Sequence, residues 1–404
     1  MRKIIVYSLF CSLAFANNLD LLQKDKKESR ELEKQYIESS YESLKNDWIG
    51  SIDFSSSLSQ THSFSDESDK NKSNKFGKSA SIGFTQSIYE SGGIEFTIQY
   101  AKDKFKYDLL SWENQNSQIL QSMYDTLLEI TKLKFQIIQG KYQLENKDIE
   151  LIIKKIQYEA GKTDIVELNN AVMSKNIAYR DVISVENSLK QKELELAKYT
   201  DLKYENIEIL DFKPISKEDF LEKNFSLLKE DARVSILNSS YKIDRSKYLP
   251  KLTLNANARY SNTKDDFNNM LSDTRKEDSQ STASLNFSMP LFDYNMSSKL
   301  QESKIEVLKQ QTYLNDLKSD IESDFEQILT KIDTYEKISK SIDDNIKLYE
   351  DLIKANRVSN QAGMTASYDL EILENSKKIN EYDLLINDIN ILQEYSKLYF
   401  KIRG

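Results

Sequence analysis

Two carboxylates, Glu167 and Asp369, each lie six residues after a glycine, Gly161 and Gly363. Each glycine closes an Ala-Gly pair and is followed two positions on by a threonine, Thr163 and Thr365. Carboxylates that open a helix act through their field, complementing the positive end of the macrodipole. The reagents for covalent chemistry are scarce. His62 is the only histidine and lies beside a polar stretch, so neither a Ser-His-Asp triad nor a histidine metal cluster can be assembled. The one cysteine is Cys11, close to the N-terminus. Other paired carboxylates fall on helix faces that read as exposed, with no pocket signal. An enzyme is therefore the poorest reading, and neither a cofactor nor a metal is expected.

The two glycines belong to echoed segments. Gln157-Tyr-Glu-Ala-Gly-Lys-Thr163 returns as Ser359-Asn-Gln-Ala-Gly-Met-Thr365, 202 positions on. Phe84-Thr-Gln-Ser-Ile-Tyr-Glu-Ser-Gly-Gly93 returns in outline as Phe287-Ser-Met-Pro-Leu-Phe-Asp-Tyr-Asn-Met296, 203 positions on. Two landmarks at nearly one offset imply an internal duplication, with strands, a long helix, a glycine-marked turn and a second helix in each half. One such half cannot bury its apolar faces alone.

The elements that position the carboxylates are long helices. The only prolines are Pro214, Pro250 and Pro290, and no Gly or Pro interrupts 94–139 or 294–362. In 314–353 the series Leu314, Leu317, Ile321, Phe325, Ile328, Ile332, Tyr335, Ile338, Ile342, Ile346, Tyr349, Ile353 advances in steps of three and four, near the 3.5 period of a coiled-coil seam. A helix over about 294–360 would be roughly 100 Å long. Leu120, Met123, Leu127, Ile130, Ile149, Ile152 and Ile156 form the first-half counterpart, with Gly140 as a potential soft point. Gly161 and Gly363 then end helices, where a left-handed backbone favours glycine. Thr163 or Asp164, and Thr365 or Ser367, are the candidate N-caps of the returning helices. A further helical pattern covers 17–46.

Period two replaces this pattern in four runs. Ile52, Phe54 and Leu58 alternate with Asp53, Ser55, Ser57 and Ser59; Ala80, Ile82, Phe84 and Ile88 with Ser79, Ser81, Thr85 and Ser87. Leu252 to Tyr260 and Ala283 to Leu291 repeat the device, around hydrophilic stretches at 65–74 and 262–280. Alternation alone fits a half-buried soluble sheet. Runs of about ten residues, a Ser/Thr/Asn polar face and long hydrophilic loops fit membrane strands better. Four strands cannot close a barrel, and an open edge in hydrocarbon strands its backbone polar groups. Membrane strands would therefore require assembly: two copies give eight strands, three give twelve and an open lumen.

Arg2-Lys3, the apolar run Ile4 to Leu13 and Ala14-Phe-Ala16 read as a secretory signal, residues 1–16, cleaved after Ala16. Cys11 follows Phe10 inside the apolar run, where a lipobox needs a small residue, so a lipid anchor is not expected. The formal charge of −9 without a basic stripe excludes nucleic acid as a partner.

Tyr248-Leu-Pro-Lys-Leu-Thr-Leu254 entering a strand, Met289-Pro-Leu-Phe-Asp293 leaving one, its first-half version Gln86-Ser-Ile-Tyr-Glu90, and the Ala160-Gly161 and Ala362-Gly363 tips occur in a duplicated order. With these features the chain resembles the TolC-type outer-membrane efflux proteins over nearly its whole length. The resemblance implies an α+β membrane protein. Its parts would be a long antiparallel α-helical coiled-coil barrel and a transmembrane β-barrel with four strands per protomer, twelve in a homotrimer. The first structural repeat would span 17–200, an equatorial connector 201–218 and the second repeat 219–404. The implied role is a passive exit duct of a tripartite efflux or type I secretion system, in the outer membrane of a Gram-negative bacterium. Outer-membrane lipid, a periplasmic adaptor and an inner-membrane transporter of RND, ABC or MFS type would be its partners.

The same resemblance places a closed aperture at the helical-hairpin tips, with Gly161, Thr163, Gly363 and Thr365 as the adaptor-docking positions. Asp369 and Glu167 correspond to a ring of carboxylates that favours cations at a narrow mouth. The second ring position of the family is Ile372, so Glu371 and Glu374 are the nearby substitutes. The constraining residues of well-known members correspond to Asn360 and Thr365, which cannot make the same bonds. If this duct is held shut, other contacts do it. The competing reading is a periplasmic or surface coiled-coil scaffold that transports nothing.

Overall fold

The computed structural model describes residues 19–63, 73–207, 209, 210, 212, 214–266, 274–361 and 367–403. The signal segment with its Ala16 boundary and the tip residues Gly363 and Thr365 lie outside the described residues. After a 3-10 turn at Leu19–Leu21 the order is α1 (Lys24–Lys45), β1 (Ile52–Ser63), β2 (Ser73–Tyr89), α2 (Gly93–Glu159) and α3 (Ile165–Leu196). A connector with a 3-10 turn at Tyr204–Asn206 and the short α4 (Lys217–Lys223) leads to α5 (Phe225–Ser246). The series then repeats as β3 (Lys251–Asp266), β4 (Thr274–Ser288), α6 (Met296–Gln361) and α7 (Ser367–Tyr399).

The duplication is visible in element lengths. α1 and α5 both have 22 residues, α2 and α6 have 67 and 66, and α3 and α7 have 32 and 33. Five of the seven seam residues read on α2 and five of the twelve read on α6 are buried. Leu120, Met123, Leu127, Ile130 and Ile149 are buried on α2, and Ile321, Phe325, Ile328, Ile332 and Ile353 on α6. Ile152, Ile156 and Ile338 depart from this, each being more than two-fifths exposed in the single chain. Gly140 does not soften α2, which runs through it unbroken. It instead permits close packing: a Cβ there would stand 3.1 Å from Val182 Cγ2 of α3.

The strands form one antiparallel sheet in the order β1-β2-β3-β4. β3 and β4 reach further into the hydrophilic stretch than side-chain alternation indicates, because backbone pairing persists between Asp265 and Thr274 where the apolar pattern has stopped. Ile52, Phe54 and Leu58 lie opposite Phe84, Ile82 and Lys78, so one face is largely apolar. On the other face Ser55 and Ser57 share 2.8 Å hydrogen bonds with Ser81 and Ser79. β1 and β4 are the sheet edges. Among the described residues no helix is long and apolar enough to cross a membrane.

The chain divides into two compact units, and neither is a repeat. One joins the residues through Lys34 with Leu110–Lys229 and the chain from Asn315; the other joins Gln35–Leu109 with Glu230–Leu314. Each takes equivalent segments from both repeats, as follows when a single repeat cannot cover its own apolar faces. The first unit holds the larger core: Leu120, Met123, Tyr124, Leu127 and Leu128 of α2 pack with Leu196, Ile207, Phe212 and Phe400. A second cluster sets Phe220 of α4 against Ile321, Phe325 and Ile328 of α6 and Leu398 of α7. The C-terminal segment is tied to α4 and α5 by backbone bonds, Phe225 N to Lys401 O and Arg403 N to Lys223 O. In the second unit all four strands share the fold with the adjoining helix ends. There Tyr41 of α1 stacks near Phe105 of α2 at 4.8 Å, and Ser239 of α5 donates to Asp103 of α2 at 2.6 Å.

Candidate functional site at the helical-hairpin ends

At the first tip the sequence closes α2 with a Schellman motif. Lys162 N–H donates to Gln157 O and Gly161 N–H to Tyr158 O, with Gly161 at φ +67°. The left-handed backbone, not crowding, demands glycine there, since an added Cβ would meet nothing within 4 Å. Of the two cap candidates it is Asp164 that opens α3, accepting from Glu167 N at 2.8 Å. Thr163 is half-buried beside it and does not cap.

Glu167 does not stand as a free carboxylate. Its Oε2 accepts from Lys154 Nζ across the hairpin. Lys175 pairs with Asp148 at 2.5 Å and Lys141 with Glu186 at 3.7 Å further along the same two helices. Exposed pairs of this kind are individually weak, but they stitch α2 to α3 at three levels.

The second tip keeps Asp369 and Glu371 exposed in the first turns of α7. Glu374 is engaged: Arg357 Nη2 of α6 donates to its Oε1 at 2.8 Å. Lys377 reaches Glu350 at 3.0 Å, and Asn387 Nδ2 donates to Tyr335 O and Ser339 Oγ of α6. Asn360 is half-buried in the last turn of α6. Gly363 and Thr365 fall outside the described residues, so the structure describes neither as a docking position.

α7 also packs on α2. Gln139 Nε2 donates to Asp383 Oδ1 at 2.6 Å, and Tyr382 lies beside Phe135 and Tyr142 with ring centres about 6 Å apart. The sideways order of helices in this unit is therefore α3, α2, α7, α6. Two buried amide atoms, Asn146 Oδ1 on α2 and Asn375 Nδ2 on α7, make no hydrogen bond. A buried polar atom left so costs about 1–3 kcal/mol. The sequence reading missed both asparagines.

Nearer the large core, burial pushes the Asp125 carboxyl above the ordinary aspartate range, against the opposing pull of a Ser396 hydrogen bond and Lys397, with Glu394 adding to the rise. Burial alone does the same at Asp388. A raised carboxyl pKa stabilises the fold below about pH 4, and that contribution is lost as pH rises through the folded value. Asp125→Asn is therefore expected to raise the melting temperature at pH 7 and to leave it unchanged near pH 3, read by thermal unfolding at both pH values. An equal effect at both would contradict the assignment. Asp125 and Glu129 line a polar hollow of about 450 Å³ with Lys192, Glu195 and Gln393. Among the described residues no group of His, Cys, Asp or Glu is placed to hold a metal ion.

Residues 218–375 match the family model described as Outer membrane efflux protein. No curated protein matches the sequence. The fold is that of solved outer-membrane channels. The Campylobacter jejuni CmeC outer membrane channel superposes with a TM-score of 0.69 at 12% identity, over 95% of this chain and 85% of that one. The Vibrio cholerae outer membrane protein VceC gives 0.69 at 11% identity, over 95% of each chain. The open state of the Neisseria gonorrhoeae MtrE outer membrane channel gives 0.68 at 12%, over 96% and 87%. At these identities the likeness is one of fold.

Proposed function

We propose that this chain, which matches the outer-membrane efflux protein model over 218–375 and shares its fold with solved outer-membrane channels, is the passive exit duct of a tripartite export system. One observation carries the reading. A four-stranded sheet with an apolar face and two open edges shares its chain with two helices of 66 and 67 residues. The sheet needs neighbours to close it in a membrane, and three copies give twelve strands with room for a lumen. Helices of that length reach roughly 100 Å, enough to carry a conduit well beyond a bilayer. An inner-membrane transporter and an adaptor supply the energy and the opening, because a duct of this kind does no covalent work. The adaptor docks at the hairpin ends around Gly161 and Thr163, and at Gly363 and Thr365.

Asp369, exposed at the start of α7, forms the cation-selecting ring of the assembled mouth, with Glu371 near it. Glu167 contributes little to that field, because Lys154 offsets its charge. In planar bilayers the protein is expected to give small, cation-preferring conductances. Asp369→Asn should lower the cation-to-anion permeability ratio severalfold, measured by reversal potential, while Glu167→Gln leaves it near the parent value. A wide, unselective pore in the unaltered protein would overturn the closed, acidic mouth. Recovery of the chain from the soluble periplasm without detergent would overturn the duct itself and favour the scaffold.

A further inference from the structure

The duplication does more than repeat elements: it repeats an interface, and one copy of that interface is missing. The hairpin pairs Ile52–Phe84 and Leu252–Phe287 superpose the two repeats, shifting β1 onto β3 by 200 positions and β2 onto β4 by 203. Between these hairpins β2 of the first repeat pairs with β3 of the second, with Phe84 opposite Ala256. The equivalent seam, β4 followed by another β1, has no partner within the chain because both are edge strands.

We infer that β4 of one copy pairs antiparallel with β1 of the next in the register of the β2–β3 seam, with Phe287 opposite Ser56. This rests on the oligomeric duct proposed above and goes beyond it by fixing residue against residue. The same register sets Leu285 opposite Leu58 and Met289 opposite Phe54 on the apolar face. On the polar face Asn286 meets Ser57. A slip of one residue would turn the apolar set of one strand against the polar set of the other. Slips of two keep the faces matched, and only the repeated seam discriminates against them.

The turns beside the strands support the same partner. Within one chain the β2–α2 turn is covered by the α5–β3 turn: Ser91 Oγ donates to Pro250 O at 2.7 Å, and Lys251 Nζ lies 3.9 Å from Glu90. There Ile88 and Tyr89 are 50% and 55% exposed, whereas their counterparts Leu291 and Phe292 are 92% and 85% exposed. The counterpart of the covering turn is the α1–β1 turn, which carries Trp48 and Ile49. It is the next copy's turn that covers Leu291 and Phe292. The strands agree: Leu252 and Leu254 on β3, paired on both sides, are half-buried, while Ile52 and Phe54 on the edge strand β1 are 70% and 72% exposed.

Paired cysteines in the full chain test this. Within one sheet, β1 and β4 are three strand spacings apart, about 14 Å, too far for an intramolecular disulfide. Ser56→Cys with Phe287→Cys, and Ser57→Cys with Asn286→Cys, sample both kinds of opposed pair. Phe54→Cys and Leu58→Cys, each combined with Phe287→Cys, sample the two-residue slips. Single-cysteine chains control for Cys11. After oxidation in membranes, the on-register pairs should give a ladder ending in a closed covalent trimer on non-reducing gels, at least several-fold stronger than the slipped pairs. Stronger cross-linking in a slipped pair would overturn the register while leaving the duct intact. So would no cross-linking in chains that native mass spectrometry shows to be oligomeric. A monomer in detergent by the same measurement, with no cross-link from any pair, would overturn both the register and the assembly on which it rests.

Discussion

Tyr124→Ala is expected to destabilise the protein by about 3–5 kcal/mol, the range for deleting a large aromatic from a packed core. Tyr124 is 1% exposed, with its ring edge-on to Phe212 at 5.4 Å and tilted against Phe400 at 5.9 Å. Its hydroxyl donates to Leu210 O at 3.2 Å and accepts from Leu210 N at 2.9 Å. One side chain of α2 therefore holds the connector and the C-terminal segment together. The loss should appear as a lowered melting temperature and as proteolytic cleavage within 201–216, whose described residues form no helix longer than the 3-10 turn at Tyr204–Asn206. Tyr124→Phe keeps the packing and removes only the hydroxyl, so its cost should be nearer 1–3 kcal/mol, from the Leu210 amide left unpaired. A change below 1 kcal/mol in Tyr124→Ala would mean that the connector is anchored elsewhere.

The second large effect belongs to the apolar face of the sheet. Leu58→Arg and Phe54→Arg, at positions 73% and 72% exposed in the single chain, are each expected to cost about 2–4 kcal/mol per copy near the bilayer centre. In the proposed trimer that cost is counted three times, so the outer-membrane fraction should fall sharply. Ser57→Arg, on the opposite face, gives up only a 2.8 Å bond to Ser79 and should still insert. If arginine were tolerated equally on both faces, the sheet would not be facing lipid.

Much of this was legible from residue pattern because it rests on periodicity, which is local. The helix seam of α6 could be read in steps of three and four, and the buried residues Ile321, Phe325, Ile328, Ile332 and Ile353 lie on it. Glycine at 161 announced a left-handed turn, and the backbone there has φ +67°. The strand limits were less legible: β3 and β4 continue into polar residues because backbone pairing does not depend on side-chain polarity. Gly140 was misread as a soft point, since sequence cannot distinguish a flexible glycine from one that admits Val182 of another helix.

The candidate site divides in the same way. That Glu167 and Asp369 share a spacing from glycine is a property of the chain alone. That Glu167 is held by Lys154 and Glu374 by Arg357 depends on which helix faces meet. No local pattern encodes a contact between residues 13 or 17 positions apart across a turn, since the rotation of each helix about its axis decides it. By itself, then, the sequence determined the repeat, the elements within it and the positions of the turns, because propensity and hydrophobic period act over a few residues. Only the tertiary structure decided how the repeats interleave into two units, which carboxylates are already paired, and which strand edges remain open. Those depend on packing and pairing between segments that lie from a single hairpin turn to about 200 residues apart, where the free energy comes from surfaces that exist only once the chain has folded.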